Sequence, residues 1–453
     1  MARNLFKSRI GLIAATVGSA IGLGNVWRFP AETQANGGAA FLLLYIVCVL
    51  VLGIPVMLAE FSLGRGGRSD VIGVFRRLAP RTPWWLTGVA AVLASYLIIS
   101  FYMVVAGWTL EYLWESLTGG LYQGLAEGTD TMRQHFAARM EEYICTDSRP
   151  LLFTMAMILI NIGVLAAGVQ KGIERLSNVM MPMLFVILLV LLAVSLSLPH
   201  AADGVVFFLA PDFSSITPAV VVSALGQALF SLSLGAGTIV TYASYYPDST
   251  KLGRTSVIVA SLSVLVAVLM GLIIFPAVTS FGITDASFGG STLVFVTLPE
   301  VFANMPATGL WSSLFFLLLL VAALTSTVSI AEVPVAMLRD RLGMRRLPAV
   351  LAVMLPLLVL STLCSLSFGS LADAKILGMT VFELFDATTT NVLMPAVALA
   401  ECLFLGWFAP RHLLNAQLTN DGTLRAAYAP AVAAATRYLA PVLIIAIATA
   451  NYL

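Results

Sequence analysis

The fold of this chain is decided by the stretch Gly18-Ser19-Ala20-Ile21-Gly22-Leu23-Gly24-Asn25-Val26-Trp27-Arg28-Phe29-Pro30. It places three glycines, an asparagine and an arginine inside a segment that otherwise has the composition of a membrane helix. An interrupted helix survives in hydrocarbon only where its freed N–H and C=O groups face protein, a cavity or a ligand. A glycine-interrupted apolar segment therefore points to a binding site.

The composition is that of a polytopic membrane protein. Hydrophobic residues make up 59% of the 453 residues and charged residues only 10%, and the mean hydropathy is +0.96; together these values exclude a soluble globule. A membrane helix needs about 20 apolar residues. We therefore predict an all-α fold with eleven spans, numbered in chain order: 9–31, 39–61, 86–114, 151–168, 178–198, 218–245, 255–278, 310–338, 347–367, 384–408 and 432–450.

The distribution of arginine and lysine predicts the orientation. Basic residues precede span 1 and cluster after spans 2, 4, 6, 8 and 10, whereas the intervening loops carry more acid. Loops rich in Lys and Arg remain in the cytoplasm. With eleven spans, we expect a cytoplasmic N-terminus and an extracytoplasmic C-terminus, and we expect a plasma membrane location, the inner membrane of a bacterium.

Several function classes find no support in the sequence. The four cysteines form no disulfide framework or CxxC pattern, and the three histidines are isolated loop residues. A Walker-type phosphate loop is absent, so ATP-driven transport is not expected. No nucleophile, base and orienting residue group together, so we predict that the protein is not an enzyme, and we expect no nucleic-acid partner.

A second interruption lies in span 6, over residues 226–238, which include Gly226, Gln227, Ser231, Ser233, Gly235 and Gly237. Matching breaks at the start of two five-helix groups are typical of an inverted repeat. We therefore predict a five-plus-five transporter fold with broken helices 1 and 6. Its first half covers 1–200, its inverted second half 201–408, and span 11 lies within 409–453. The alternative is that the small residues only permit close helix packing.

Such breaks suit particular ligands. The N-terminus of a half-helix offers unpaired N–H groups and a partial positive charge to a carboxylate. Freed carbonyls and hydroxyls suit a small hard cation. The pattern therefore favours an amino acid and sodium as ligands.

Five groups of motifs extend along nearly the whole chain: Gly18 to Pro30, Pro55 to Phe61 with Gly64-Arg65, Lys171 to Arg175, Phe230 to Gly237 with Tyr242 to Tyr245, and Leu324-Thr325-Ser326. Together they resemble the neurotransmitter:sodium symporter family, and in particular its bacterial amino-acid branch. Their order and spacing are more specific than any one of them alone.

The resemblance implies two ligand sets. The substrate carboxylate would meet the N–H groups of Leu23 and Gly24 and the hydroxyl of Tyr102. The expected substrate positions are Ala20, Gly22, Leu23, Gly24, Ile98, Tyr102, Phe230, Ser231, Ser233, Ala236, Ser326 and Ile330. One or two sodium ions would be held: a first by Ala20, Asn25 and Ser231, with Ser263 beside them, and a second by Gly18, Ile21, Ala322, Thr325 and Ser326.

The resemblance also implies gates. Arg28 and Asp386 match an outer pair that closes above the substrate, and Arg3 and Asp340, with Tyr245 nearby, match an inner one. A charge at membrane depth normally faces a cavity and finds a partner. Glu60, within an apolar span, is expected to brace the unwound segments.

Two positions depart from the family pattern. Ser263 stands where bacterial relatives carry Asn or Asp beside the first sodium, and Ala267 follows one turn later, so an acid is lacking. That site could be weakened, proton-assisted or joined by chloride. Ala236 stands where a leucine-transporting relative has a bulky aromatic residue, which predicts a larger pocket for a hydrophobic, aromatic or long aliphatic, L-amino acid.

We therefore predict a sodium-coupled symporter that imports a hydrophobic, possibly aromatic or branched-chain, L-amino acid by alternating access. A proton-coupled or exchange-type transporter of the same fold, and a ligand-binding membrane protein that does not concentrate its ligand, remain the alternatives. The expected partners are the amino-acid substrate and the lipid bilayer, and the expected state is a monomer or weak homodimer.

Overall fold

The computed structural model describes residues 5–125, 129–282 and 290–450. Helices dominate this part of the chain. Nine of its helices are long and apolar enough to cross a membrane. They correspond to spans 2 to 5 and 7 to 11, with the bounds Ala39–Gly67, Trp85–Thr118, Ser148–Ala166, Val169–Leu196, Leu252–Ser280, Thr308–Leu342, Arg346–Leu366, Val381–Phe408 and Ala429–Ala450.

The other two spans are interrupted where the sequence predicts. Span 1 consists of Arg9–Ala20 and Gly24–Ala35, which are bent by 54° at their break. Span 6 consists of Pro218–Ser231 and Thr238–Ala243, with residues 232–237 between them. Length alone therefore gives nine or ten spans, and the second broken helix completes the predicted eleven.

Short elements connect the spans. Side chains cap the first free N–H groups of some helices: Ser8 accepts from Gly11 N at the start of span 1, and Asp70 accepts from Ile72 N and Gly73 N at the start of the connecting helix Val71–Leu78. The connecting elements are Val71–Leu78, the 3-10 turns Gly120–Tyr122 and Phe213–Ser215, Thr129–Cys145, Ala201–Leu209, Leu293–Ala303 and Leu413–Thr419.

The spans pack around span 8. Of its most apolar window, 83% is buried within the protein, against 33% for span 4 and for span 5, so span 8 is central and the other two are peripheral. Span 8 contacts span 3, which in turn contacts span 4, and span 9 packs against span 4. The first half of span 1 lies between spans 5 and 8, and both halves of span 6 contact span 2. Both breaks therefore lie in the interior.

Candidate substrate and ion site

The break in span 1 is short and leaves specific backbone groups without helical partners. The first half-helix ends at Ala20, Ile21 has an extended backbone, and a π-helical turn begins at Gly24. The Leu23 N–H donates to the Tyr102 hydroxyl over 3.0 Å. The predicted carboxylate-binding N–H and hydroxyl groups are thus adjacent.

The glycines of this break are required because side chains approach the backbone closely. A Cβ atom on Gly22 would lie 2.7 Å from Ser326 Oγ and 3.0 Å from Tyr102 Oη. One on Gly24 would lie 2.7 Å from the ring of Phe230. Larger residues here would displace the side chains predicted to contact the substrate.

The break in span 6 is longer and has a left-handed backbone. Ser233, Gly235 and Gly237 have φ angles of +54°, +76° and +72°, a region open to glycine at little cost. The Gly235 N–H donates to Glu60 Oε1 over 2.8 Å, and Ser233 Oγ donates to the Ser19 carbonyl over 2.8 Å. Glu60 contacts the unwound backbone as expected of a brace, and Ser233 joins the two breaks.

A small cavity of 50 Å³ lies between the two breaks. Its wall is mostly apolar and comes from spans 1, 3, 6, 8 and 10. The lining residues are Ala20, Gly22, Gly24, Asn25, Ile98, Phe101, Tyr102, Phe230, Ser233, Ala236, Ser326, Ile330 and Met394. Of the predicted substrate positions, Leu23 lines the larger cavity beside it, and Ser231 is buried behind it.

Two lining residues were missed by the sequence analysis. Phe101 precedes Tyr102 on span 3, and nothing in the sequence distinguishes it from packing residues. Met394 lies on span 10, where a π-helical turn, Thr388–Leu393, ends against Pro395. Pro395 removes a backbone donor inside an apolar span, so this proline was a usable signal of an irregular backbone beside Met394.

In the described part of the chain, the predicted first sodium position offers an unpartnered amide oxygen and no carboxylate. Asn25 Nδ2 donates to Ser263 Oγ over 2.8 Å and to the Ser263 carbonyl over 3.1 Å. Asn25 Oδ1 is buried without a hydrogen-bond partner. Buried polar atoms normally have a partner, and an amide oxygen on a broken helix is a good ligand for a hard cation. The residues therefore fit a sodium ion.

Neutral hydrogen-bonding groups surround this position. Ser263 Oγ donates to the Ser231 carbonyl over 3.2 Å, and the Tyr45 hydroxyl donates to Ser231 Oγ over 3.0 Å. Gln227 Nε2 donates to the Gly24 carbonyl over 3.1 Å. Tyr45 and Gln227 were not predicted here, and their place depends on how spans 2 and 6 meet.

The predicted second sodium position gathers oxygen atoms from spans 1 and 8. Ser326 Oγ lies 3.4 Å from the Gly18 carbonyl and 3.3 Å from the Ile21 carbonyl. Thr325 Oγ1 lies 3.1 Å from the carbonyls of Val321 and Ala322 in its own helix, and Thr325 packs against Gly18, where an added Cβ atom would lie 3.2 Å from Thr325 Cβ. All five predicted ligands are thus grouped where the first half-helix ends, and carbonyl and hydroxyl oxygens are the ligand type that hard cations prefer.

A cavity of 860 Å³ extends from the small pocket toward the side predicted to be extracellular. Leu23, Tyr102 and Phe230 form its floor, and Arg28 and Asp386 lie on its wall.

The predicted outer pair, Arg28 and Asp386, makes contacts within this cavity. Arg28 Nε is 3.7 Å from Glu32 Oε1, and its guanidinium lies 4.6 Å from the Phe230 ring centroid. Asp386 accepts from Thr390 Oγ1 over 3.0 Å. The predicted outer pair therefore faces one cavity without a direct ion pair.

The opposite end of the site is closed by Phe6. Its ring is 3% exposed and packs against Tyr242, Tyr245 and Tyr246. The Tyr245 hydroxyl donates to Glu332 Oε1 over 2.8 Å, and Glu332 accepts two bonds of 2.6 Å from Arg346.

The predicted inner gate is only partly described. Arg3 lies outside the described residues. Asp340 Oδ2 accepts from the Asp70 N–H over 2.8 Å, and Tyr245 instead contacts Glu332. In the described part of the chain, the path to the pocket is open on the side predicted to be extracellular and packed with aromatic side chains on the opposite side.

Two broken spans around a central pocket, open to one side only, define an inverted-repeat secondary transporter. A model of the sodium:neurotransmitter symporter family matches residues 3–132 and 137–453. The chain belongs to the sodium:neurotransmitter symporter family, and its relatives make it a sodium-coupled transporter.

Similar proteins agree with this assignment. The sodium-dependent transporter YhdH of Bacillus subtilis is 38% identical over 440 residues, 97% of this chain and 96% of the relative. The sodium-dependent serotonin transporter of Drosophila melanogaster is 27% identical over 83% of this chain and 66% of its own length. The crystal structure of MhsT in complex with L-phenylalanine matches with a TM-score of 0.88 and 38% identity, over 98% of this chain and 99% of that one. The predicted fold and family are thereby confirmed.

Proposed function

We propose that the protein imports a hydrophobic L-amino acid, aromatic or long aliphatic, together with sodium. One observation carries the proposal: a mostly apolar pocket lies between a half-helix N-terminus and two groups of oxygen atoms suited to sodium. The bound L-phenylalanine of MhsT supports an aromatic substrate.

The substrate carboxylate would replace the contact between the Leu23 N–H and the Tyr102 hydroxyl with bonds to both groups and to the Gly24 N–H. The partial positive charge of a helix N-terminus favours an anion there. The side chain would extend toward Ala236 and Met394, where the pocket wall is apolar.

Transport would proceed by alternating access. Arg28 and Asp386 would close over the bound substrate as the outer gate, and spans 1, 2, 6 and 7 would rock against the remaining scaffold. Release inward requires Phe6 to leave its contacts with Tyr242, Tyr245 and Tyr246. Arg3 and Asp340 would close the inner side again.

Chloride is proposed as a further ion beside the first sodium. Ser263 and Ala267 supply no negative charge there, while Tyr45, Ser231 and Gln227 bring neutral polar groups. A chloride ion among these donors would balance the sodium as a carboxylate does in other family members. Two sodium ions are proposed because two separate sets of oxygen atoms lie near the pocket, one at Asn25 and one at Ser326.

The main test is uptake of labelled L-phenylalanine into proteoliposomes under an inward sodium gradient. Accumulation above equilibrium is expected with sodium and not with potassium or choline. Equal uptake in all three cations would favour a proton-coupled or exchange-type transporter. Binding without accumulation would favour a protein that does not concentrate its ligand.

Chloride coupling is tested in the same vesicles by replacing chloride with gluconate. The wild type should lose most uptake, and Ser263→Asp should restore it because a fixed negative charge replaces the anion. Ser263→Asn is the matched neutral control and should remain chloride-dependent. Equal wild-type uptake in gluconate would dispose of chloride coupling.

Substrate size is tested by Ala236→Phe. Filling the pocket should lower the preference for phenylalanine over alanine by about tenfold or more, since one methylene group is worth about 1–3 kcal/mol of discrimination. An unchanged preference would show that the side chain does not reach Ala236.

We also propose a plasma membrane location, the inner membrane of a bacterium, with the N-terminus inside and the C-terminus outside. Cys145 is exposed in a loop predicted to be external, and the other three cysteines are buried. A membrane-impermeant maleimide should therefore label intact cells at Cys145, and Cys145→Ser should abolish labelling. Size-exclusion light scattering should give a monomer or a weak homodimer.

A further inference from the structure

Two π-helical turns face each other where spans 10 and 11 meet. They are Phe404–Phe408 and Ala435–Leu439. A Cβ atom on Gly406 would lie 2.9 Å from the Arg437 Cα, so the glycine permits the close approach. Trp407 Nε1 donates to the Arg437 carbonyl over 3.2 Å. The contact fixes Arg437 within an apolar span.

Arg437 is a cation at an unusual depth. It follows the start of span 11, Ala429, by eight residues, which is about 12 Å along a helix. Its guanidinium lies 4.0 Å from the Trp407 ring centroid and 5.4 Å from that of Tyr438. None of the ion pairs in the described part of the chain includes Arg437, and its Nε has no hydrogen-bond partner. The aromatic faces offset only part of a charge that normally needs a partner.

The surroundings of Arg437 face the bilayer. Trp407, Phe408 and Tyr438 are exposed by 51%, 63% and 55% on the outside of the helix bundle. Trp and Tyr are enriched at the headgroup level of membranes. The end of span 10 lies on the side whose loops are rich in arginine, and its cytoplasmic position rests on the proposed orientation.

The aromatic surface continues toward a second basic site. Trp84 packs on Phe408 with 4.8 Å between ring centroids, and next to it Arg76 lies 5.0 Å from the Trp85 centroid. A shallow cavity of 530 Å³ opens there, lined by Arg76, Pro80, Arg81, Thr82, Pro83 and Trp85. Arg437 is thus stacked on Trp407, and Arg76 is stacked on Trp85.

We propose that this surface of spans 10 and 11, with the start of span 3, is a binding site for one anionic phospholipid of the cytoplasmic leaflet. A guanidinium pairs a phosphate through two parallel hydrogen bonds, and the exposed rings suit the upper acyl chain. Basic pockets between membrane helices on the cytoplasmic side bind anionic headgroups in this way. The exposed rings of Trp407, Phe408 and Tyr438 favour a lipid over a free phosphate ion, because only a lipid brings an acyl chain to cover them.

The test measures lipid preference and requires no transport. Native mass spectrometry of the detergent-solubilised protein counts bound phosphatidylglycerol and phosphatidylcholine from equal mixtures. Arg437→Gln should lower the preference for phosphatidylglycerol about fivefold, and Arg437→Lys should retain part of it. The matched control is Arg175→Gln, because Arg175 is an exposed arginine on the same predicted side. Melting temperatures check that each variant folds.

A second measurement places the lipid. Dibrominated phosphatidylglycerol should quench tryptophan fluorescence more than brominated phosphatidylcholine does, and Trp407→Phe should remove much of that difference. The proposal is overturned by an unchanged preference in Arg437→Gln, or by an equal loss in Arg175→Gln. It is also overturned if a dimer is seen that dissociates in Arg437→Gln, since a second copy would then occupy the surface. A failure of sodium-driven uptake would leave this result unaffected.

Discussion

The helical backbones of spans 1 and 6 are interrupted in different ways. In span 1 the break is short, and Gly22 and Gly24 are needed because the side chains of Ser326, Tyr102 and Phe230 touch the backbone. In span 6 the break is longer, and Gly235 and Gly237 are needed because their φ angles are +76° and +72°.

Their freed backbone groups also have different partners. In span 1 the Gly18 and Ile21 carbonyls meet the hydroxyl of Ser326, a contact that an ion can exchange. In span 6 the Gly235 N–H is held by the carboxyl group of Glu60. The two interruptions therefore differ in role: the first would present backbone groups to the proposed ligands, and the second is anchored to the protein through Glu60.

The largest effect on folding should come from Gly235→Ala. A Cβ atom there would lie 2.2 Å from the Met394 carbonyl oxygen and require a φ of +76°. We expect the free energy of unfolding to fall by about 3 kcal/mol, measured as a lower melting temperature. Gly226→Ala is the matched control, since its nearest neighbour would be 3.9 Å away. Similar losses in both variants would contradict the anchored role of the span 6 break.

Gly22→Ala should reduce substrate binding more than it reduces the free energy of unfolding. Its Cβ atom would meet Ser326 Oγ and Tyr102 Oη, two side-chain ends that can move but are predicted ligands. Loss of one or two hydrogen bonds to charged ligands is worth about 1.5–3 kcal/mol each, so substrate affinity should fall at least tenfold. Scintillation-proximity binding measures this. The control is Gly163→Ala, which has nothing within 4 Å; unaltered affinity in Gly22→Ala would refute ligand binding at the first break.

Thr325→Val should weaken sodium binding about tenfold, since it removes one ligand of a cation. The readout is the sodium concentration that gives half-maximal binding of the substrate. Thr327→Val is the matched control, because Thr327 is a buried threonine of the same helix that is not a predicted ligand, and its Oγ1 likewise donates to a carbonyl of its own helix, that of Leu324, over 3.1 Å. If the two variants respond alike, the second sodium position is wrong.

The smallest effect is expected for Glu60→Gln. A glutamine keeps an oxygen that accepts the Gly235 N–H, so the melting temperature should change by less than the equivalent of about 1 kcal/mol. Glu60→Ala removes the acceptor and should cost more, about 1–3 kcal/mol. A loss as large in Glu60→Gln as in Glu60→Ala would mean that the span 6 break needs the carboxyl group itself.

Much of this fold could be predicted because a membrane helix can be recognised from a short stretch of sequence. Each span is a run of apolar residues, and each break is marked by glycines, so element order and the two interruptions follow from short windows of sequence. The family resemblance then indicated Asn25, Thr325, Ser326 and Tyr102 as site residues. The structure groups them, and their roles stay predictions until ions and substrate are measured.

The sequence by itself determined the membrane class, the eleven spans and the location of both breaks, because the cost of unpaired backbone groups in hydrocarbon acts on every short segment. Only the tertiary structure decided that Phe101 and Met394 line the pocket, that Tyr45 and Gln227 flank the predicted first ion position, and that Phe6 closes the end of the site opposite the large cavity. These contacts join residues far apart in the chain. Their partners are chosen by how the spans pack, which no local pattern specifies.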